Sequence, residues 1–123
     1  MRHWLRAVLI AALVSAVFVP ATSGAPEAAR KTFQVTVADD YYAPTALTIK
    51  KGNKIRWNWS DANYDSHNVK LTNAPKGVKK TDFKSATGAI GINFSRKFTV
   101  PGKYHFICTL HSSVMTMDVK VKK

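Results

Sequence analysis

Cys108, His111 and Met115 stand at i, i+3 and i+7 near the end of the chain. A thiol, an imidazole and a thioether at that spacing are three metal donors on one loop. The preceding run places Tyr104, Phe106 and Cys108 on one strand face, because side chains alternate along a strand. If Cys108 ends that strand pointing inward, a turn through Thr109 and Leu110 returns His111 to the sulfur. A further loop through Ser112, Ser113 and Val114 sets Met115 over the same point. The fourth donor is expected from His67, which begins a strand after the polar loop Ser60 to Ser66 and is followed by Asn68 and Val69.

Two imidazoles and a thiolate in one plane, with a weak axial thioether, form the ligand set of a blue-copper electron-transfer site. The soft sulfur donors suit Cu(I) and the imidazoles also suit Cu(II), so the set predicts one copper ion serving both oxidation states. Zinc shares the taste for imidazole and thiolate but rarely takes a thioether. With no coordination position left open, the site is expected to exchange electrons rather than catalyse, with Leu110 and Val114 helping to exclude water. Taken singly, Cys108 reads as a small core residue and each histidine as a surface or hydrogen-bonded one; the combination is what points to metal. Met117 shares a face with Met115 and is the rival axial donor. His105 alternates away from Cys108 and is expected to face outward. Asp61 and Asp65 belong to a polar loop and are expected to face solvent, and Trp57 and Trp59 are expected in the core.

These donors need a rigid frame, and the sequence offers strands. Short alternating runs recur: Phe33, Val35 and Val37; Leu47 and Ile49; Ile55, Trp57 and Trp59; Val69 and Leu71; Phe94 and Phe98; Val119 and Val121. Turn residues separate them, and no helical period intervenes. Lys51-Gly52-Asn53 is expected to close a hairpin between the second and third of these runs. Thr72 to Gly91, broken by Pro75, Gly77, Gly88 and Gly91, reads as loop with a short edge strand. Seven to eight short strands in about a hundred residues predict an all-β, two-sheet antiparallel sandwich.

The chain begins with a basic stretch, Met1 to Arg6, then an apolar run from Ala7 to Val19 interrupted by Ser15. The run is shorter than the roughly 20 residues that span a bilayer core. Residues 1–25 are therefore expected to be a signal peptide, with the mature N-terminus within 22–26, 26–31 a linker and 32–123 the domain. Export is to the periplasm or the cell exterior. The formal net charge is +12, of which Arg2 and Arg6 account for two, leaving +10 on the remainder. Such a field steers association: a transient acidic redox partner, or loose attachment to an anionic membrane or wall surface, with nucleic acid disfavoured by export. A monomer is expected. The single cysteine rules out an internal disulfide.

The chain also resembles a known family, the small cupredoxins of the plastocyanin, pseudoazurin and amicyanin kind. Tyr42-Ala43-Pro44 through Ile49-Lys50-Lys51-Gly52 and Ile55-Arg56-Trp57 is similar to the family's second and third strands, and Ser66-His67-Asn68-Val69 to its upstream ligand segment. Val100-Pro101-Gly102-Lys103-Tyr104-His105-Phe106-Ile107-Cys108-Thr109-Leu110-His111, with Met115 beyond, is similar to its closing strand and ligand loop. The resemblance implies a Greek-key sandwich and an electron carrier. It also implies that Asn68 fixes the ligand loop, with its backbone N–H on the Cys108 sulfur. Two departures are Leu110, where many members have proline, and a His-to-Met spacing of four. The alternative is a copper-binding protein for storage, delivery or resistance. A metal-free sandwich that binds a partner through its basic face is a third reading, and a copper enzyme is disfavoured because no further histidine cluster is present.

Overall fold

Alternation becomes burial along almost every strand. In the computed structural model, which describes residues 15–19 and 30–123, β1 (Thr32–Ala38) buries Val35 and Val37. β4 (Lys54–Trp59) buries Ile55, Trp57 and Trp59 while Lys54 and Arg56 face water. The other strands are β2 (Tyr41–Ala43), β3 (Ala46–Lys50), β5 (Lys70–Asn73), β6 (Asn93–Lys97), β7 (Gly102–Ile107) and β8 (Thr116–Lys122). They form two four-stranded sheets, in the orders β2-β1-β4-β6 and β3-β8-β7-β5. The chain is all-β, as its patterning predicts. Among the described residues no helix is long and apolar enough to cross a membrane. Apart from residues 15–19, the expected signal peptide, its cleavage region and most of the linker lie outside the described residues.

Between the sheets sits an aromatic core. The Trp57 ring lies 5.3 Å from that of Phe94 and 5.2 Å from that of Phe106, and Phe98 meets Tyr104 edge-on at 5.0 Å. Such tilted and edge contacts add to the area the rings bury. Trp57 and Trp59 are core residues, as expected.

Two features depart from the antiparallel expectation. The sheets are mixed, since β1 runs parallel to β4 and β3 parallel to β8. The expected hairpin is also absent: β3 belongs to one sheet and β4 to the other. The turn itself explains the crossing. Lys51 donates its backbone N–H to Lys122 of β8 at 2.7 Å, and Gly52, at φ +93°, donates to Phe98 beyond β6 at 2.7 Å. The turn is held by one strand system on each side, so the chain passes over the end of the sandwich. Alternation reports which face is buried and is silent on which strand is the neighbour.

In the irregular segment, Lys80–Asp82 forms one 3₁₀ turn, and isolated bridges join His67 to Gly88 and Lys70 to Lys84. The strand expected to start at His67 begins at Lys70. The sandwich thus has two poles. One gathers the C-terminal ends of β1, β4 and β7, and the other gathers the turn Lys51–Asn53 and the C-terminus of β8.

Candidate metal centre

At the first pole Cys108 follows β7 directly and is fully buried, as is Met115 just before β8. The loop between them closes on itself. Cys108 accepts from His111 N–H at 3.2 Å, His111 accepts from Met115 N–H at 2.8 Å, and Cys108 N–H donates to Met115 at 3.0 Å. Backbone bonding therefore fixes Cys108 opposite Met115, one level above the pair Phe106 and Met117. Met117 is buried one step deeper in the core.

His67 reaches this pole from the other ligand segment. Its backbone exchanges two hydrogen bonds with Gly88, at 3.0 and 3.1 Å. Its carbonyl also accepts from the Trp59 indole at 3.3 Å, and the next carbonyl, of Asn68, accepts from the Tyr42 hydroxyl at 2.6 Å. Burial pushes the Tyr42 phenol far above its ordinary range, with the charge of Cys108 adding to the effect; this hydroxyl stays a donor at any working pH.

The rings of His67 and His111 meet with centroids 5.1 Å apart. The His67 ring is fully buried, and its Nε2 lies 2.9 Å from Asp39 Oδ1. A carboxylate only accepts, so Nε2 carries a hydrogen, and in the neutral ring Nδ1 is the nitrogen with the lone pair. That Nδ1 is buried with no hydrogen-bond partner, and so is His111 Nε2. The nearest carboxylate to the latter is Asp40, at 3.4 Å and without hydrogen-bond geometry. An orphaned buried nitrogen costs about 1–3 kcal/mol, and two on adjacent rings are available as metal donors. Donor atoms of Asp40, His67 and His111 all lie within 4.8 Å of one another. The Cys108 sulfur is not a member of that tight group.

Asp39 and Asp40, which no spacing in the sequence singles out, also stand at this pole. Asp39 also accepts the backbone N–H groups of Tyr64 at 3.0 Å and Asp65 at 3.1 Å. These bonds, that of Tyr64 foremost and then the His67 ring, hold its carboxyl below the ordinary range. Asp40 adopts φ +68°, a left-handed conformation that aspartate tolerates better than most residues. Asp61 and Asp65 are exposed, as expected. His105 lies away from the pole, with its Nδ1 2.6 Å from Asp118 Oδ1.

One expected contact is replaced. Among the described residues Asn68 makes no backbone hydrogen bond to the Cys108 sulfur; its side chain makes the link instead. Its Oδ1 accepts from the Thr109 backbone at 2.9 Å, and its Nδ2 donates to the hydroxyls of Thr109 at 2.8 Å and Thr87 at 3.0 Å. The His67 segment is thereby tied to the residue after Cys108.

The comparisons with known proteins bear on this site. The family model described as copper binding proteins of the plastocyanin/azurin family matches residues 30–122. The chain belongs to that family. A search of the curated proteins found no match. Among solved structures, this cupredoxin resembles a reduced Cu(I) form of an amicyanin variant, at 27% identity and a TM-score of 0.60 over 74% of this chain and 82% of that one. Pseudoazurin from Methylobacterium extorquens AM1 matches at 23% identity and a TM-score of 0.61 over 75% and 76% of the two chains. A copper-containing nitrite reductase from Thermus scotoductus SA-01 matches at 20% identity and a TM-score of 0.63, but the cupredoxin chain spans only 22% of it. The last two likenesses concern the fold. In this cupredoxin the donor chemistry suits copper: two imidazoles with free buried nitrogens, and a buried thiol and thioether on the adjoining loop.

Proposed function

We propose that the protein is an exported one-electron carrier holding one copper ion through His67, Cys108, His111 and Met115. The observation that carries the reading is the adjacent His67 and His111 rings, each with a buried nitrogen that has no hydrogen-bond partner, beside the Cys108–Met115 loop. Copper, when bound, supplies a Cu(I)/Cu(II) couple to these donors. Asp39 holds the hydrogen on His67 Nε2 and so keeps Nδ1 free as a donor, the carboxylate–histidine arrangement that orients metal ligands. Hydrogen bonding fixes the Cys108–Met115 loop before metal arrives, which limits rearrangement on electron exchange. Met115 is favoured over Met117 because it stands level with Cys108.

His111 is the electron port in this reading, since it is partly exposed and flanked by Leu110 and Val114, whose exposures are 50% and 67%. Tyr41, Tyr64 and Ile90 are also exposed on segments that meet this pole. A small apolar patch of this kind suits a brief redox encounter. Asp40, Asp61 and Asp65 are exposed within the same region, whereas most lysines lie elsewhere. Steering of an acidic partner to His111 by lysines thus loses its geometric basis. The partner surface that meets this pole is apolar with a basic rim.

Voltammetry of the copper-loaded protein in the presence of a Cu(I) chelator tests the role. A reversible one-electron couple with the metal retained over many cycles supports the carrier. Rapid surrender of Cu(I) to the chelator would favour copper storage or delivery instead.

A further inference from the structure

The lysines that leave the copper pole gather at the opposite one. Strand register puts them there: Lys50 pairs with Lys122, Lys54 with Lys97, and Lys103 with Lys120. Lys31 joins them, its carbonyl accepting from Lys54 N–H at 2.9 Å. Lys31, Lys50, Lys51, Lys122 and Lys123 line a shallow depression of about 570 Å³, and among the described residues no acidic side chain lines it. Like charges placed directly opposite each other across strands are destabilising, and here three such pairs occur together. Among the described residues none of these lysines forms an ion pair; the pairs involve His67, His105 and His111. Of the described aspartates, Asp39, Asp40, Asp61 and Asp65 lie around the copper pole, whereas Asp118 borders Lys103 and Lys120 and Asp82 borders Lys97.

We propose that this lysine pole docks on an anionic phospholipid bilayer and so presents the copper pole away from the membrane. Three observations select lipid. The concentrated positive charge of the depression lined by Lys31, Lys50, Lys51, Lys122 and Lys123 complements a phosphate-bearing surface. The exposed large apolar side chains of the domain, Tyr41, Tyr64, Ile90, Leu110 and Val114, all sit toward the other pole, so this one lacks the apolar anchors of a stable protein interface. Finally, the chain enters the domain here: β1 starts at Thr32 beside Lys54, and Asn53 Oδ1 accepts from Lys31 N–H at 3.1 Å. The apolar run of residues 7–19 precedes that point, so during export the lysine pole is the part of the domain joined to the segment nearest the membrane. Docking on this side leaves His111 open to a partner.

The test is co-sedimentation with vesicles, using protein processed by an exporting host and stripped of copper, so that its outcome is independent of the copper reading. Vesicles of phosphatidylglycerol and phosphatidylcholine should retain the protein at low salt and release it at high salt, and phosphatidylcholine alone should not bind it. Each lysine near the surface is worth about fivefold in partitioning. Lys50→Gln with Lys122→Gln should therefore weaken binding by about 25-fold. Lys70→Gln with Lys84→Gln makes the same change in net charge on the copper side and should change it less than about threefold. For the copper-loaded protein, an uncharged small reductant should act equally fast on free and vesicle-bound forms. Absence of binding to the anionic vesicles, equal losses in the two double variants, equally tight binding to soluble polyphosphate at matched phosphate concentration, or slowed reduction on the vesicle would each overturn the proposal.

Discussion

Replacing Asn68 by alanine should loosen the metal centre without touching any donor atom. The residue is 3% exposed, and its side chain makes three hydrogen bonds, to Thr109 N–H, the Thr109 hydroxyl and the Thr87 hydroxyl. A typical bond of this kind contributes about 1 kcal/mol net. The two threonines are exposed, so their groups regain water once Asn68 is truncated. The expected loss is about 2–3 kcal/mol, which for a domain of this size lowers Tm by about 10–20 °C. Urea and thermal unfolding of the copper-free protein measure it directly. Asn68→Asp should cost less, because its carboxylate still accepts from Thr109 N–H and both threonine hydroxyls can rotate to donate. A double-mutant cycle with Thr109→Val should return a coupling of about 1 kcal/mol. A loss below about 0.5 kcal/mol for Asn68→Ala, or additivity in the cycle, would refute the view that this side chain clamps the two ligand segments together.

Three further outcomes follow from the same geometry. Asp39→Ala should weaken copper binding by about 10- to 100-fold in a chelator competition, and Asp39→Asn, which retains an acceptor, by less. Because the folded state holds the Asp39 carboxyl below its ordinary value, its contribution to stability is present above the unfolded carboxylate range and disappears as pH falls through the acid range; Asp39→Asn should flatten that limb of the stability profile. Gly102 lies at φ +138° and a Cβ there would strike the Pro75 ring, whereas Gly52, at φ +93°, faces open space. Gly102→Ala should therefore destabilise by more than Gly52→Ala, each by about 1–3 kcal/mol, read from denaturant midpoints at unchanged m-value.

Much of this molecule is legible in its sequence because the strands bury one face, and the alternation of Val35 with Val37, Trp57 with Trp59 and Phe106 with Cys108 states that face directly. Strand partnership is not written the same way. Lys51-Gly52-Asn53 looks like a hairpin turn, and only its hydrogen bonds to Lys122 and Phe98 reveal a crossing between sheets. The site follows the same division. Cys108, His111 and Met115 are legible because their spacing is local, and His67 because it heads a strand after a polar loop. Asp39 is not, since its role depends on β1 ending beside a histidine 28 positions away. The polarity of the lysines is hidden for a similar reason: they are scattered along the chain, and only strand register gathers them at one end.

The central claim is a copper centre built from His67, Cys108, His111 and Met115, and spectroscopic titration of the metal-free protein with Cu(II) tests it most directly. One equivalent should produce an intense visible thiolate-to-copper band, which Cys108→Ser and His67→Ala abolish and Met115→Leu shifts while Met117→Leu leaves it in place. A protein that stays colourless with Cu(II), or a band that survives Cys108→Ser, would contradict the account.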